Sequence, residues 1–133
     1  MLAITSKSPY AVRALCELTL CGASVPVLIG ELARRRDIPP QFLEGLFATL
    51  RRAGILQSQR GVKGGYSFAR SPSEVTVLEV VELLEGELAA TDAADDEIWH
   101  EALETLRAVL AKTTISALAE REAQARGQAM YYI

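Results

Sequence analysis

The feature that most restricts this chain is Arg60-Gly61-Val62-Lys63-Gly64-Gly65, a run of six residues of which three are glycine. Glycine loses more freedom on ordering than any other residue, so this stretch resists a helix and favours a turn. The flanking segments, Ile55-Leu56-Gln57-Ser58-Gln59 and Tyr66-Ser67-Phe68-Ala69, alternate in polarity. Together they predict a β-hairpin with a long turn. What precedes it has helical period. Val12, Leu15, Leu18 and Leu20, with Ala11 and Ala14, mark a first helix from Pro9 to about Cys21, ended by Gly22. A second, from about Val27 to Arg36, buries Leu28, Leu32 and Ala33 and leaves Arg34, Arg35 and Arg36 in water. Ile38-Pro39-Pro40 then breaks the chain, and prolines suit the first turn of a following helix because the amide hydrogens they lack would be unpaired there. That third helix, from about Pro40 to Ala53, sets Phe42, Leu43, Leu46, Phe47 and Leu50 on one face and turns Gln41, Glu44, Arg51 and Arg52 to solvent. Three helices followed by a hairpin is the order of a winged helix-turn-helix.

Beyond Ser71-Pro72, Thr76-Val77-Leu78-Glu79 matches a capping box, in which hydroxyl and carboxylate each take the other's free amide. Helix four then runs to about Glu85, and Gly86 to Glu97 (GELAATDAADDE) reads as a small, acidic connection. From Ile98 to Lys112 a long helix places Trp99, Leu103, Leu106 and Leu110 at spacings of four, three and four, a coiled-coil-like seam. The seam needs a partner, either the chain's own core or the same helix of a second subunit. Thr113 or Thr114 can cap a last helix through about Gln124, leaving Met130-Tyr131-Tyr132-Ile133 as an apolar tail. A chain of 133 residues makes one domain. Residues 1–72 are expected to form its winged helix-turn-helix and 73–133 a helical dimerisation and regulatory region. The expected class is mostly α, with a two-stranded wing and a long C-terminal dimerisation helix.

Charge divides at the same place. Through Arg70 there are ten basic and four acidic residues, a net of +6; the remainder has four basic and thirteen acidic, a net of −9. The basic half fits a polyanion such as double-stranded DNA. No apolar run approaches membrane-spanning length and no secretory signal is evident, which points to the cytoplasm. Cys16 and Cys21 are the only cysteines, too few for a disulfide scaffold or a four-cysteine zinc module.

Ser6-Lys7, Tyr10-Ala11-Val12-Arg13-Ala14, Phe42-Leu43-Glu44 with Leu46-Phe47, Leu50-Arg51-Arg52-Ala53-Gly54-Ile55-Leu56 and, most specifically, Arg60-Gly61-Val62-Lys63-Gly64-Gly65-Tyr66 resemble the Rrf-two family of bacterial transcription regulators. Glu74-Val75-Thr76-Val77, Leu84-Glu85-Gly86, Trp99 and Thr114-Ile115 continue the likeness in order. It implies a homodimeric winged-helix protein on a near-palindromic operator, of a kind that reports iron–sulfur status, nitric oxide, redox state or cysteine supply. Members with a cluster carry three cysteines where this chain has GELAATDAADDE, and no Asp, Glu or His stands between Thr5 and Arg13 to act as a fourth ligand. Clusters need thiolates. The resemblance is therefore to the cluster-free, cysteine-metabolism branch, with no cofactor and no metal expected. Two further departures are Ser8-Pro9 in place of a Gly-Arg that would offer a phosphate contact, and Pro39 in place of a serine cap.

Within this frame Gln41 and Glu44, three apart on helix three, are the candidates for base readout, since glutamine suits an adenine edge and glutamate a cytosine amino group. Arg60 heads the wing and suits a minor groove. Lys63 adds charge, and Gly61, Gly64 and Gly65 let the backbone come close to phosphates, unless they serve the turn alone. Lys7, Tyr10, Arg34 and Arg51 are candidates for phosphate contacts, with Arg35, Arg36 and Arg52 adding general field. An enzyme finds no support: His100 lacks the second histidine of a zinc-hydrolase helix, and Gly-Val-Lys-Gly-Gly lacks the spacing of a phosphate-binding loop. Cys16 and Cys21 suit small apolar packing, with an intersubunit redox role as the other reading. Two functions stay open: a sequence-specific DNA-binding regulator, acting as a repressor, or a winged-helix module that binds a protein. A metabolic enzyme or a small-molecule effector is a further expected partner.

Overall fold

The computed structural model describes residues 4–88 and 97–131. Its elements are α1 (Lys7–Cys21), α2 (Ile29–Arg36), α3 (Pro40–Arg52), β1 (Leu56–Gln59), β2 (Gly65–Phe68), α4 (Val77–Glu85), α5 (Glu97–Lys112) and α6 (Ile115–Tyr131). All were expected, with ends shifted by a few residues. The larger correction is α6, which passes through Gly127 to Tyr131 instead of stopping near Gln124, so Met130 and Tyr131 belong to a helix and not to a tail. An interior glycine costs a helix only about 1 kcal/mol. Tyr132, Ile133 and most of the acidic connection, 89–96, lie outside the described residues.

The core collects the apolar faces of the first four helices and the wing. Leu15 and Leu18 of α1, Leu32 of α2, Leu43, Phe47 and Leu50 of α3, Ile55, Leu56, Val75, Val80 and Ile115 are all fully buried. Phe47 meets Tyr66 of β2 edge-on at 5.2 Å between ring centres, which seats the wing against α3. β1 and β2 pair antiparallel, Leu56 opposite Phe68 and Gln59 opposite Gly65. The hairpin is not left to itself. Val27, in the loop between α1 and α2, exchanges both backbone hydrogen bonds with Tyr66 (2.9 and 2.8 Å), and Phe68 N–H donates to Ala23 O at 3.0 Å. Two strands alone are marginal in water; this third edge fixes the wing to the helix-turn-helix.

A second short bridge, with Val77 N–H to Thr113 O and Ile115 N–H to Val75 O (both 2.9 Å), ties the start of α4 to the α5–α6 turn. Thr76 caps α4 by accepting from Glu79 N–H at 3.1 Å, and Thr114 caps α6 by accepting from Ala117 N–H at 3.1 Å. Only half of the expected capping box forms. The Glu79 carboxylate turns instead to Arg70 Nη1 at 2.7 Å, because a charge-assisted bond to a guanidinium is stronger than one to a neutral amide.

Candidate nucleic-acid interface

The face of α3 opposite its core stripe carries the residues singled out for readout. Leu43, Leu46, Phe47 and Leu50 are buried, and helical spacing turns Gln41, Glu44, Gly45 and Arg51 outward, all exposed. Pro39 does not disturb the start of the helix. It holds an extended conformation with Pro40 at the first position, and Leu43 N–H donates to Pro39 O at 3.0 Å, so what the missing serine costs is a side-chain cap alone. Asp37, in the left-handed region at φ 54°, closes α2, and Ile38 is buried as the plug of the turn.

Tyr10 lies beside α3, its ring edge-on to Phe42 at 5.7 Å, with the Arg13 guanidinium 5.6 Å from the ring centre. Lys7, one turn earlier on α1, is exposed. The turn before α1 is held by Glu85, the last residue of α4, whose carboxylate accepts from Thr5 N–H (2.8 and 3.0 Å), Thr5 Oγ1 (2.5 Å) and Ser8 Oγ (2.6 Å). Desolvation raises the pKa of this carboxyl, but the bonds from Ser8 and Thr5 outweigh it and hold Glu85 below the ordinary glutamate range.

In the wing, Arg60, Val62 and Lys63 are exposed around a turn closed by Gly64 N–H to Gly61 O at 3.0 Å. The glycines divide by role. Gly61 is exposed, whereas Gly64 is buried and its amide already committed, and a Cβ there would fall 2.2 Å from Gln59 O. At Gly65 a Cβ would lie 2.3 Å from the Val27 carbonyl carbon. These last two glycines are demanded by the packing of the wing itself, which favours the turn over the phosphate reading for both. Val62, wholly exposed at the corner of that turn, was not among the expected contacts.

Among the described residues no ion pair engages Lys7, Arg51, Arg60 or Lys63. Arg34 is exposed but pairs with Glu31 at 2.6 Å, so it offers less charge to a phosphate than expected. Arg36 departs from expectation altogether. Its side chain is 12% exposed, bonded to Glu17 and to Glu122 of α6. Its place was legible: Arg36 follows the buried Leu32 and Ala33 by four and three residues, and Glu17 follows the buried Ala14 by three. Cys16 is buried, which with the nearby Glu122 pushes its thiol up to about 11. Cys21 is half-buried, its sulfur 3.1 Å from Arg35 Nη1.

The expected seam on α5 splits. Leu103 is buried and Leu106 and Leu110 pack against the chain's own core, with Arg107 bonding Glu82 (2.9 Å) and Leu88 O (3.2 Å) across to α4. Trp99, four residues before Leu103, lies on the same side of α5 but is 65% exposed, while Ile98 and Val109 are exposed on an adjoining line of the helix.

The family described as "Rrf2: Iron-dependent Transcriptional regulator" matches residues 4–121. The chain belongs to this family. An HTH-type transcriptional regulator of Synechocystis is 41% identical over 85 residues, 64% of this chain and 58% of the relative. CymR of Bacillus subtilis is 27% identical over 98% of this chain and 99% of its own. The structure of CymR, described as the global cysteine regulator of B. subtilis, superposes with a TM-score of 0.81 at 29% identity, covering 91% of this chain and 98% of that one. IscR of T. potens gives 0.81 at 30% identity over 93% and 90%. These Rrf2-family relatives are winged-helix transcription regulators and not enzymes, and so is this chain: a DNA-binding transcription regulator. No described helix is long and apolar enough to cross a membrane.

The family's iron dependence finds no matching donor set here. Both cysteines lie on α1, Cys16 packed inside with a thiol that stays protonated, Cys21 against Arg35. The sequence from Gly86 to Glu97 holds no cysteine or histidine. An iron–sulfur cluster requires several convergent thiolates; among the described residues no three His, Cys, Asp or Glu side chains come together as metal ligands.

Proposed function

We propose that the chain is a homodimeric repressor that reads a near-palindromic operator without an iron–sulfur cluster. The observation that carries the reading is the pairing of two elements: the outward face of α3, with Gln41 and Glu44 exposed, and a wing pinned to the same helix-turn-helix by Val27 and Tyr66 with Arg60 and Lys63 free. Phosphate contacts from Lys7, Tyr10, Arg51 and Lys63 would set register, and the base edges met by α3 would set sequence. Likeness to CymR over nearly its full length, together with the missing thiolates, supports the cluster-free branch and a signal connected with cysteine supply. Dimerisation through the outer face of α5 would place two such units on two half-sites.

The test is selection of duplexes from a random pool, followed by titration at two salt concentrations. Arg60→Ala removes a charge and a minor-groove contact, so specific binding should weaken and the salt slope shrink by about one unit. Glu44→Ala should act in the opposite sense. A carboxylate is repelled by phosphates, so its removal should keep or raise nonspecific affinity and relax discrimination at one base pair by about 1–3 kcal/mol. If neither variant alters affinity or base preference in a folded protein, α3 and the wing are not the reading surface and a protein partner takes the place of DNA there.

A further inference from the structure

One cluster of charged side chains has no part in that reading. Glu17 sits in the middle of α1 among buried Ala14, Leu15, Cys16 and Leu18, and is itself 7% exposed. The Arg36 guanidinium donates from Nε to Glu17 Oε1 at 2.8 Å and from Nη2 to Glu122 Oε2 of α6 at 2.6 Å. Arg35 Nη1 reaches Glu17 at 3.3 Å and Arg126 Nη2 reaches it at 3.5 Å. Three helices thus meet on one guanidinium. A charge at this depth is strongly unfavourable when unpaired, so withdrawing Arg36 would leave the buried Glu17 carboxylate with only the longer contacts from Arg35 and Arg126.

The position of Arg36 in the chain gives the cluster its consequence. It is the last residue of α2, followed by left-handed Asp37, buried Ile38 and Pro39, after which α3 starts at Pro40. The turn's own backbone bonds are few: Asp37 N–H to Arg34 O at 3.4 Å and Ile38 N–H to Ala33 O at 2.9 Å. Gln41 and Glu44 fall in the first two turns of α3, where a change in the attitude of the helix moves them most directly. The turn that aims the recognition helix is therefore anchored from outside, by a helix from the far end of the chain.

We propose that Arg36 is a positioning residue for DNA recognition, and that through its pair with Glu122 the placement of α6 sets the attitude of α3. The inference rests on the DNA-binding reading above. Arg36 acts through the turn and touches no base. When Glu122 is lost, Arg36 keeps Glu17, so the fold survives while the end of α2 loses its tie to α6. Whatever displaces α6, a ligand, a protein or a second subunit, then reaches Gln41 and Glu44 through one ion pair, a contiguous physical coupling.

Glu122→Gln tests this, with Glu120→Gln as control: it makes the same charge change on the same helix at an exposed position that forms no side-chain hydrogen bond among the described residues. The probes are the duplex selected by the wild type and an unrelated duplex. E122Q should lose about fivefold or more in affinity for the selected duplex, while its affinity for the unrelated duplex stays with that of E120Q. The amides of Asp37 and Ile38 should exchange with solvent faster in E122Q alone. Glu122→Asp, which keeps the charge on a shorter arm, should recover part of the loss and serves if E122Q folds poorly. Equal specificity ratios and equal exchange in E122Q and E120Q would overturn the proposal. So would a lower Tm accompanied by wild-type affinity per folded molecule, since that marks a purely structural pair. Failure of the wild type to select any sequence strikes the DNA-binding reading itself and shows before any variant is made; the exchange comparison still decides whether α6 holds the turn.

Discussion

At Gly64 the wing has room for a hydrogen atom and nothing larger: a Cβ would also lie 2.9 Å from Arg60 C and from Gly61 O. These are backbone atoms, which cannot swing aside as a side chain could. Gly64→Ala must therefore open the turn that presents Arg60 and Lys63. Because the turn projects beyond the core, the helices should melt within a few degrees of wild type while operator affinity falls by about tenfold or more. Gly45→Ala is the contrast. Nothing lies within 4 Å of a Cβ there, and replacing an interior helix glycine should raise stability by about 0.5–1 kcal/mol. Thermal melts and anisotropy titrations of both variants check this, and wild-type binding by G64A would show that the wing's shape is irrelevant. The glycine run was legible as a turn, and the outward placement of Gln41 and Glu44 followed from helical period. What spacing could not separate was the reason for each glycine; that for Gly65 depends on Val27, a residue 38 positions away and brought there by the fold. Arg36 was misplaced for the opposite reason. Three consecutive arginines suggest a wet surface, yet on a helix adjacent residues point 100° apart, and the third follows the buried stripe.

Elements of the two halves are stitched by acids whose ionised form the fold favours. Glu85 of α4 holds the turn before α1, and Glu17 of α1 holds α2 and α6, both with carboxyls below the ordinary range. At Glu17 desolvation works against the charge, but the bonds and charge of Arg36, aided by Arg35 and Arg126, outweigh it. A carboxyl depressed in the folded state contributes stability that is fully present above its unfolded pKa, about 4.3, and is lost as the pH falls through the folded value. Glu85→Gln should therefore be less stable than wild type at pH 7, with the gap closing below about pH 4. Urea unfolding at pH 7 and pH 3 measures it. A gap of the same size at both would mean that the contribution of Glu85 does not depend on its charge. The order and type of the helices could be read from sequence because of their apolar stripes; in α6 the buried side chains among the described residues, Ile115 and Ala119, both lie in its first turns, so little in the pattern marks its end, which was misjudged accordingly.

For the whole molecule, the question is what covers the outer side of α5. On its inner side Leu103 is buried in the chain's own core and Leu106 and Leu110 are half-buried against it. Ile98 and Val109, at 61% and 45% exposure and eleven residues apart, lie close to one line along the helix, about a quarter-turn from Trp99, which stands on the leucine line and is 65% exposed. Such residues cost little to leave exposed singly, but a stripe of them is the kind of surface that self-association buries. Ile98→Glu with Val109→Glu would place charge in that contact, whereas in a single chain both positions already face water. The double variant should accordingly keep its circular dichroism and melting profile at high dilution, run as a monomer by light scattering, and bind a full operator no better than an isolated half-site, since one reading head meets one half-site. Leu103→Glu should behave differently and unfold, because its charge would be buried inside the chain. An intact dimer of the double variant would place the subunit contact on another face.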